Sequence, residues 1–148
     1  MNKILLIGCG HMGSALLTAW SSKTNNHFSV VDPVKYKKIN KRLNKKIHAF
    51  KTLNQVRDFL LFDVIIFAVK PQIARGVLAN FESRQFKKSA VFISIIAGKK
   101  INFFNQFLPL RNQFIRVMPN MPAMINQGMS CMVPNHYVSR FNKNKIEL

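Results

Sequence analysis

The stretch KILLIGCGHMG, residues 3–13, decides the fold. From Ile4 to Ile7 every residue is apolar, as in a strand buried on both faces. Gly8, Gly10 and Gly13 follow at once in GxGxxG spacing, and the residues after them read as a helix. Between a strand and a helix that spacing has a mechanical meaning. The first glycine permits a tight turn, the second lets a bound phosphate approach the backbone, and the third lets the helix pack onto the strand. The amides that open the helix then face an anion.

Outward from this turn, apolar runs alternate with helical patterns. Ala15, Leu16, Ala19 and Trp20 are expected on one helix face, followed by a strand over Phe28–Val31 that ends at Asp32-Pro33. Tyr36, Ile39 and Leu43 space a basic helix, Ile47–Phe50 reads as a third strand and Leu53–Leu61 as a further helix. Val64–Val69 carries no glycine, proline or charge and reads as a central strand, closed by Lys70-Pro71. A helix over Ile73–Phe81, a strand over Ala90–Ile96 and a helix over Ile101–Phe107 come next. A strand over Gln113–Val117, a loop over Met118–Pro122 and a last strand over Gly128–Val133 complete the series. This βαβα order predicts an α/β fold of Rossmann type: a doubly wound, mostly parallel sheet with helices on both faces and ligand-binding loops along one edge. One domain is expected over residues 1–135. Residues 136–148 read as a loose tail or the start of a further domain.

The chain has 148 residues, 48% of them hydrophobic, with 13 Phe; one ordinary core is within reach and a disordered composition is excluded. Lys and Arg number 23 against 5 Asp and Glu, a net charge of +18 that attracts phosphate-bearing molecules. Eight of these cations lie between Lys35 and Lys51, and a solvated helix face explains them better than a nucleic-acid patch. Nucleic acid is therefore not the expected partner. Cys9 and Cys131 make no disulfide framework, and four dispersed histidines offer no metal spacing, which suits a reducing cytoplasm. Leu6 to Cys9 mimics a lipoprotein cleavage site, but the apolar run before it is far short of the roughly 7–15 residues of a signal core. No run approaches the roughly 20 apolar residues of a membrane span. A soluble, cytoplasmic protein is expected.

Asp32, at a strand end, is placed to accept hydrogen bonds from a ribose, or else serves as a turn former before Pro33. A carboxylate there favours NAD, whereas Lys35, Lys37 and Lys38 just after it can neutralise the extra phosphate of NADP, so the cofactor is NADP or NAD. Lys70, at the end of the central strand, can hold a phosphate or an acidic substrate, or be an ordinary surface lysine. Cys9 and Met12 are expected to pack under the glycine turn and His11 to be exposed on it. Five of the seven methionines fall within residues 118–132, as a core edge or a partner surface.

These motifs converge. The glycine turn, Ala68-Val69-Lys70-Pro71-Gln72, Ile96-Ala97-Gly98, Arg116-Val117-Met118-Pro119-Asn120 and Gln127-Gly128-Met129 occur in an order that resembles the N-terminal domain of pyrroline-5-carboxylate reductases. The resemblance covers residues 1 to about 135, and AVKPQ together with RVMPN is its most specific part. It implies NAD(P)H-dependent reduction of 1-pyrroline-5-carboxylate to proline, in proline biosynthesis. Gly8, Cys9, Gly10, His11, Met12 and Gly13 would hold the pyrophosphate, with Asp32 beside the ribose and Asn54 or Gln55 near the adenosine. Ala68, Val69, Lys70 and Pro71, with Ile95, Ile96 and Ala97, would flank the rest of the dinucleotide. Met118 and Asn120 would border the nicotinamide.

Met121 departs from the pattern, standing where the family usually has threonine. The family also carries a second, helical domain that forms its dimer and much of its substrate pocket, and this chain ends about where that domain begins. No catalytic acid, base or carboxylate clamp is identifiable in residues 1–148. Cofactor binding with poor catalysis alone is the expectation, and oligomeric state stays open. A non-catalytic binding or interaction module is the alternative, and a β-hydroxyacid-type or prephenate-type dehydrogenase shares only the early motifs.

Overall fold

The computed structural model describes residues 1–41, 45–120 and 129–146. It contains one seven-stranded sheet in the order β3-β2-β1-β4-β5-β6-β7. The strands are β1 Lys3–Ile7, β2 His27–Val31, β3 Ile47–Phe50, β4 Val64–Phe67, β5 Val91–Ser94, β6 Gln113–Pro119 and β7 Ser130–Pro134. The first six run parallel, and β7 is antiparallel to β6. The helices are α1 His11–Lys23, α2 Tyr36–Asn40, α3 Ala74–Ala79, α4 Ile101–Phe104 and α5 Arg140–Ile146. The order reverses between β1 and β4, so the crevice of a doubly wound sheet opens where the glycine turn lies.

Two cores follow from the alternation of side chains along the strands. Leu5, Ile7, Ile65 and Phe67 point to the face shared with Ala74 and Leu78 of α3 and Phe104 of α4. Ile4, Leu6, Val64 and Ile66 point to the other, with Leu17 of α1 and, at its margin, Tyr36 and Ile39 of α2. The first core is largely aromatic: Phe67 lies 5.1 Å from Phe81 and 6.1 Å from Phe104, and Phe104 lies 4.7 Å from Phe114, ring centre to ring centre.

Several elements depart from expectation. In α1 the buried residues are Gly13 and Leu17 rather than the face of Ala15, Leu16 and Ala19. Gly13 presses against the Gly8 carbonyl, and that close approach sets the rotation of the whole helix. Leu53–Leu61 is two single turns of 3-10 helix, Leu53–Gln55 and Phe59–Leu61. Thr52 and Gln55 close a capping box around the first, while Asp58 accepts from the Leu60 amide at 2.8 Å to start the second. Such local side-chain bonds compete with a continuous helix.

The strand expected over Val64–Val69 ends at Phe67. Ala68 still donates to the Ile7 carbonyl at 2.8 Å, but the chain then swings under Gly8. The strand expected over Ala90–Ile96 spans Val91–Ser94, because the Ser94 hydroxyl takes the Ile96 amide at 3.1 Å. Helices α2, α3 and α4 are shorter than their sequence patterns, and Leu43 lies outside the described residues.

Met118 and Pro119, expected in a loop, belong to β6, since β7 pairs with it from Ile115↔Pro134 to Pro119↔Ser130. Gly128, Gln127, Met121 and Pro122 lie outside the described residues. The stretch expected to be loose contains α5. The Gln113 side-chain oxygen accepts from the Ser139 amide at 3.0 Å and from the Asn142 side chain at 2.8 Å. Because β7 runs back, it returns the chain to the amino edge of the sheet, where α5 is fastened at the first residue of β6.

Candidate dinucleotide site

Strand register lines up the carboxyl ends of the central strands: Ile7 pairs with Val31 and with Phe67, Phe67 with Ser94, and Ser94 with Arg116. The residues that follow form a single edge. It gathers the glycine turn after β1, Asp32 after β2, Ala68–Pro71 after β4, and Ile95 with Ala97 after β5. The end of β6 adds Met118 and Asn120.

Gly8 has φ +90°, and a Cβ there would stand 2.7 Å from the Ala68 carbonyl oxygen. A Cβ on Gly13 would stand 2.6 Å from the Gly8 carbonyl oxygen, whereas one on Gly10 meets nothing within 4 Å. Two glycines therefore serve packing and the middle one keeps space open. Gly10 also caps α1 with no side-chain hydrogen bond, and the first turn contains no acid. The amides that open α1 are thus left to an external acceptor, with the helix dipole favouring an anion. Among the glycine-turn side chains, Cys9 is buried, Met12 half-buried and His11 exposed.

Asp32 is buried, with 9% of its surface exposed. Its Oδ2 accepts from the Cys9 amide at 2.8 Å, and its Oδ1 from the amides of Val34 at 2.9 Å and Lys35 at 2.7 Å. The carboxylate ties the end of β2 to the glycine turn and also forms the turn into α2. The Lys35 ammonium reaches back across it to the Gly10 carbonyl at 3.4 Å.

The other candidates divide. Ala68, Val69 and Pro71 are half-buried beneath the edge and Lys70 is exposed on it. Ile96 sits in the aromatic core, so only its backbone borders the edge, while Ile95 is half-buried and Ala97 exposed. Asn120 closes the β6–β7 connection, accepting the Met129 amide at 3.0 Å with its side chain and donating its own amide to the Met129 carbonyl at 3.2 Å. Asn54 accepts from Arg84 at 3.1 Å, and the Gln55 side chain accepts the amides of Lys51 and Thr52. Of the clustered methionines among the described residues, Met118 and Met129 are exposed and Met132 packs on the second core.

In the sequence Arg116 stands out only as part of a motif. In the fold it lies beside Ser94 at the carboxyl edge, and its Nε is buried with no hydrogen-bond partner. Ser14, Thr18 and Lys38 were not singled out as a group either, yet with Lys35 they line a cavity of about 200 Å³ between α1 and α2. Only the fold brings together residues so far apart in sequence.

Comparison with known proteins agrees with this geometry. A family described as NADP oxidoreductase, coenzyme F420-dependent, matches residues 3–98, the span from β1 through the loop after β5. The pyrroline-5-carboxylate reductase of Escherichia coli is 33% identical over 140 residues, 93% of this chain and 51% of that protein. The chain therefore spans about half the length of the curated relatives it matches. The crystal structure of a Plasmodium falciparum pyrroline carboxylate reductase with NADP bound has a TM-score of 0.77 and 26% identity, covering 98% of this chain and 52% of that one. A Coxiella burnetii pyrroline-5-carboxylate reductase shares the fold with a TM-score of 0.82 at 24% identity, covering 99% of this chain and 54% of that one. With the glycine turn and the buried Asp32 both inside the matched span, the chain belongs to this family of NADP-dependent oxidoreductases.

Proposed function

We propose that this chain forms the dinucleotide-binding half of a reductase acting on 1-pyrroline-5-carboxylate, in proline biosynthesis. The observation that carries the reading is the opening of α1. Its amides are uncapped, open space lies above Gly10, and Gly8 and Gly13 lock the turn against β4 and β1. The pyrophosphate would rest on those amides, with the adenosine over the β2 edge and the nicotinamide toward Ser94–Ala97 and Met118–Asn120. When bound, the reduced nicotinamide supplies a hydride, which on this reading goes to the imine carbon of the substrate. The residues of this chain bind and orient; holding the reactive ring in place is their contribution to rate. Arg116 adds a buried donor at the same edge, suited to a carbonyl or carboxylate acceptor. A cytoplasmic setting fits two cysteines that stand outside any disulfide, and among the described residues no helix is long and apolar enough to cross a membrane.

The test is a pair of measurements on the purified chain. NADPH is expected to bind saturably, and its oxidation in the presence of 1-pyrroline-5-carboxylate is expected to be slow. Rapid oxidation would contradict the view that substrate machinery lies outside residues 1–148, and failure of folded protein to bind either NADPH or NADH would end the proposal.

A further inference from the structure

We infer that the outer edge of β7 pairs with β7 of a second copy of this chain, joining two sheets into one across a twofold axis at Cys131. The inference is independent of the dinucleotide reading above.

The two edges of the sheet are finished differently. At the β3 edge the Asn40 side chain takes both outward groups of Ala49, accepting its amide at 2.8 Å and donating to its carbonyl at 2.9 Å. Exposed Lys45 and Lys51 flank that strand, a common defence of an edge against another chain. β7 has neither device. The Asn120 amide donates to the Met129 carbonyl, and the Asn135 amide to the Phe114 carbonyl. In the alternation of an antiparallel ladder, Met129, Cys131, Val133 and Asn135 thus turn their backbone groups toward β6. Ser130 and Met132 turn theirs outward, where they meet no partner among the described residues.

Charge and register both favour a second copy as the occupant. No Lys, Arg, Asp or Glu occurs from Val117 to Ser139, in a chain of net charge +18. Two like-charged copies repel least along this stretch, and a charged partner gains nothing from it. The edge is also self-complementary. With the axis at Cys131, Ser130 of each copy exchanges both hydrogen bonds with Met132 of the other, so every outward group of the two residues is paired. With the axis at Met132 instead, the Ser130 carbonyl would face Pro134, which has no proton to donate. Side chains match in the Cys131 register as well. Met129, 79% exposed, meets Val133 of the other copy, 49% exposed, on both sides of the exposed Cys131 pair. So short a ladder buries less than the roughly 1,200 Å² of stable complexes, and the association is weak.

Sedimentation equilibrium of the full 148-residue chain under reducing conditions tests the inference. A monomer–dimer equilibrium is expected, with a dissociation constant on the order of 100 μM. It should tighten as sodium chloride screens the two net charges. Cys131→Lys sets two ammonium groups face to face and should weaken the dimer at least about tenfold, whereas Cys131→Ser should leave it within about twofold. Circular dichroism establishes that each variant is folded. Opposed residues at such a position lie about 4.5 Å apart, Cα to Cα, within reach of a disulfide. Diamide, which takes up the two electrons and two protons of a thiol pair, should therefore link the copies through Cys131, as peptide mapping will show. A chain that stays monomeric to concentrations on the order of 1 mM overturns the inference. So does a dimer indifferent to Cys131→Lys, or one that diamide fails to link through Cys131.

Discussion

Gly8 and Gly10 are two residues apart and answer to different demands. Gly8 holds φ +90° with the Ala68 carbonyl 2.7 Å from where a Cβ would stand, and that neighbour is backbone that cannot step aside. Gly8→Ala is expected to cost about 2–4 kcal/mol, read as a lower urea midpoint. A Cβ on Gly10 enters open space, so Gly10→Ala should change stability by no more than about 1 kcal/mol, the loss of a favourable cap. Its effect falls on the ligand: titration should show NADPH affinity weakened at least about tenfold, with Gly10→Glu abolishing binding by charge as well as bulk. Equal damage to stability from both alanine variants would mean that the turn serves packing alone. The spacing of these glycines and their division of labour were legible in the sequence; the neighbour that pins Gly8 was not, because only the fold brings the Ala68 carbonyl beneath it. Asp32 teaches the same lesson. Both of its readings, ribose acceptor and turn former, were open in the sequence, and only the three amide contacts reveal how fully the turn occupies it.

Among the elements, the buried strands were read best, since an uninterrupted apolar run leaves few alternatives. Val64–Phe67 and Val91–Ser94 lie inside their expected spans and lose only terminal residues to local turns. Helices fared worse where side chains bond to nearby backbone: Thr52, Gln55 and Asp58 divide a stretch whose apolar spacing alone suggests one helix. Helix α5 was missed because its anchor is remote. Ser139 and Asn142 bond to Gln113, and no local pattern announces a partner 26 or 29 residues away. Gln113→Ala should therefore loosen α5 selectively, with a cost of about 1–2 kcal/mol. Hydrogen exchange is the measurement: amides such as Lys143 should exchange faster while those of β1 keep their protection. Uniform acceleration across the sheet would show that α5 is integral to global stability.

At the scale of the whole molecule, the net charge of +18 is the dominant long-range feature. Self-repulsion of that size opposes compaction, and salt screens it over about 10 Å at 0.1 M. The melting temperature is expected to rise as sodium chloride increases from about 10 to about 150 mM, and scanning calorimetry will show it. An unchanged or falling value would mean that the basic residues are already locally compensated. Fold class and the edge that gathers the glycine turn, Asp32 and Ala68–Pro71 were visible from the order of elements, whereas the cavity between α1 and α2 needed the third dimension.

The reversal at β7 has a practical consequence. With β1 starting at the amino edge and the start of α5 fastened there too, Lys3 and Asn142 both lie on the side away from the glycine turn. A tag or biotin ahead of β1 would tether the molecule to a sensor surface with the glycine turn facing the flowing solution, so immobilised binding assays should report the same affinities as free protein.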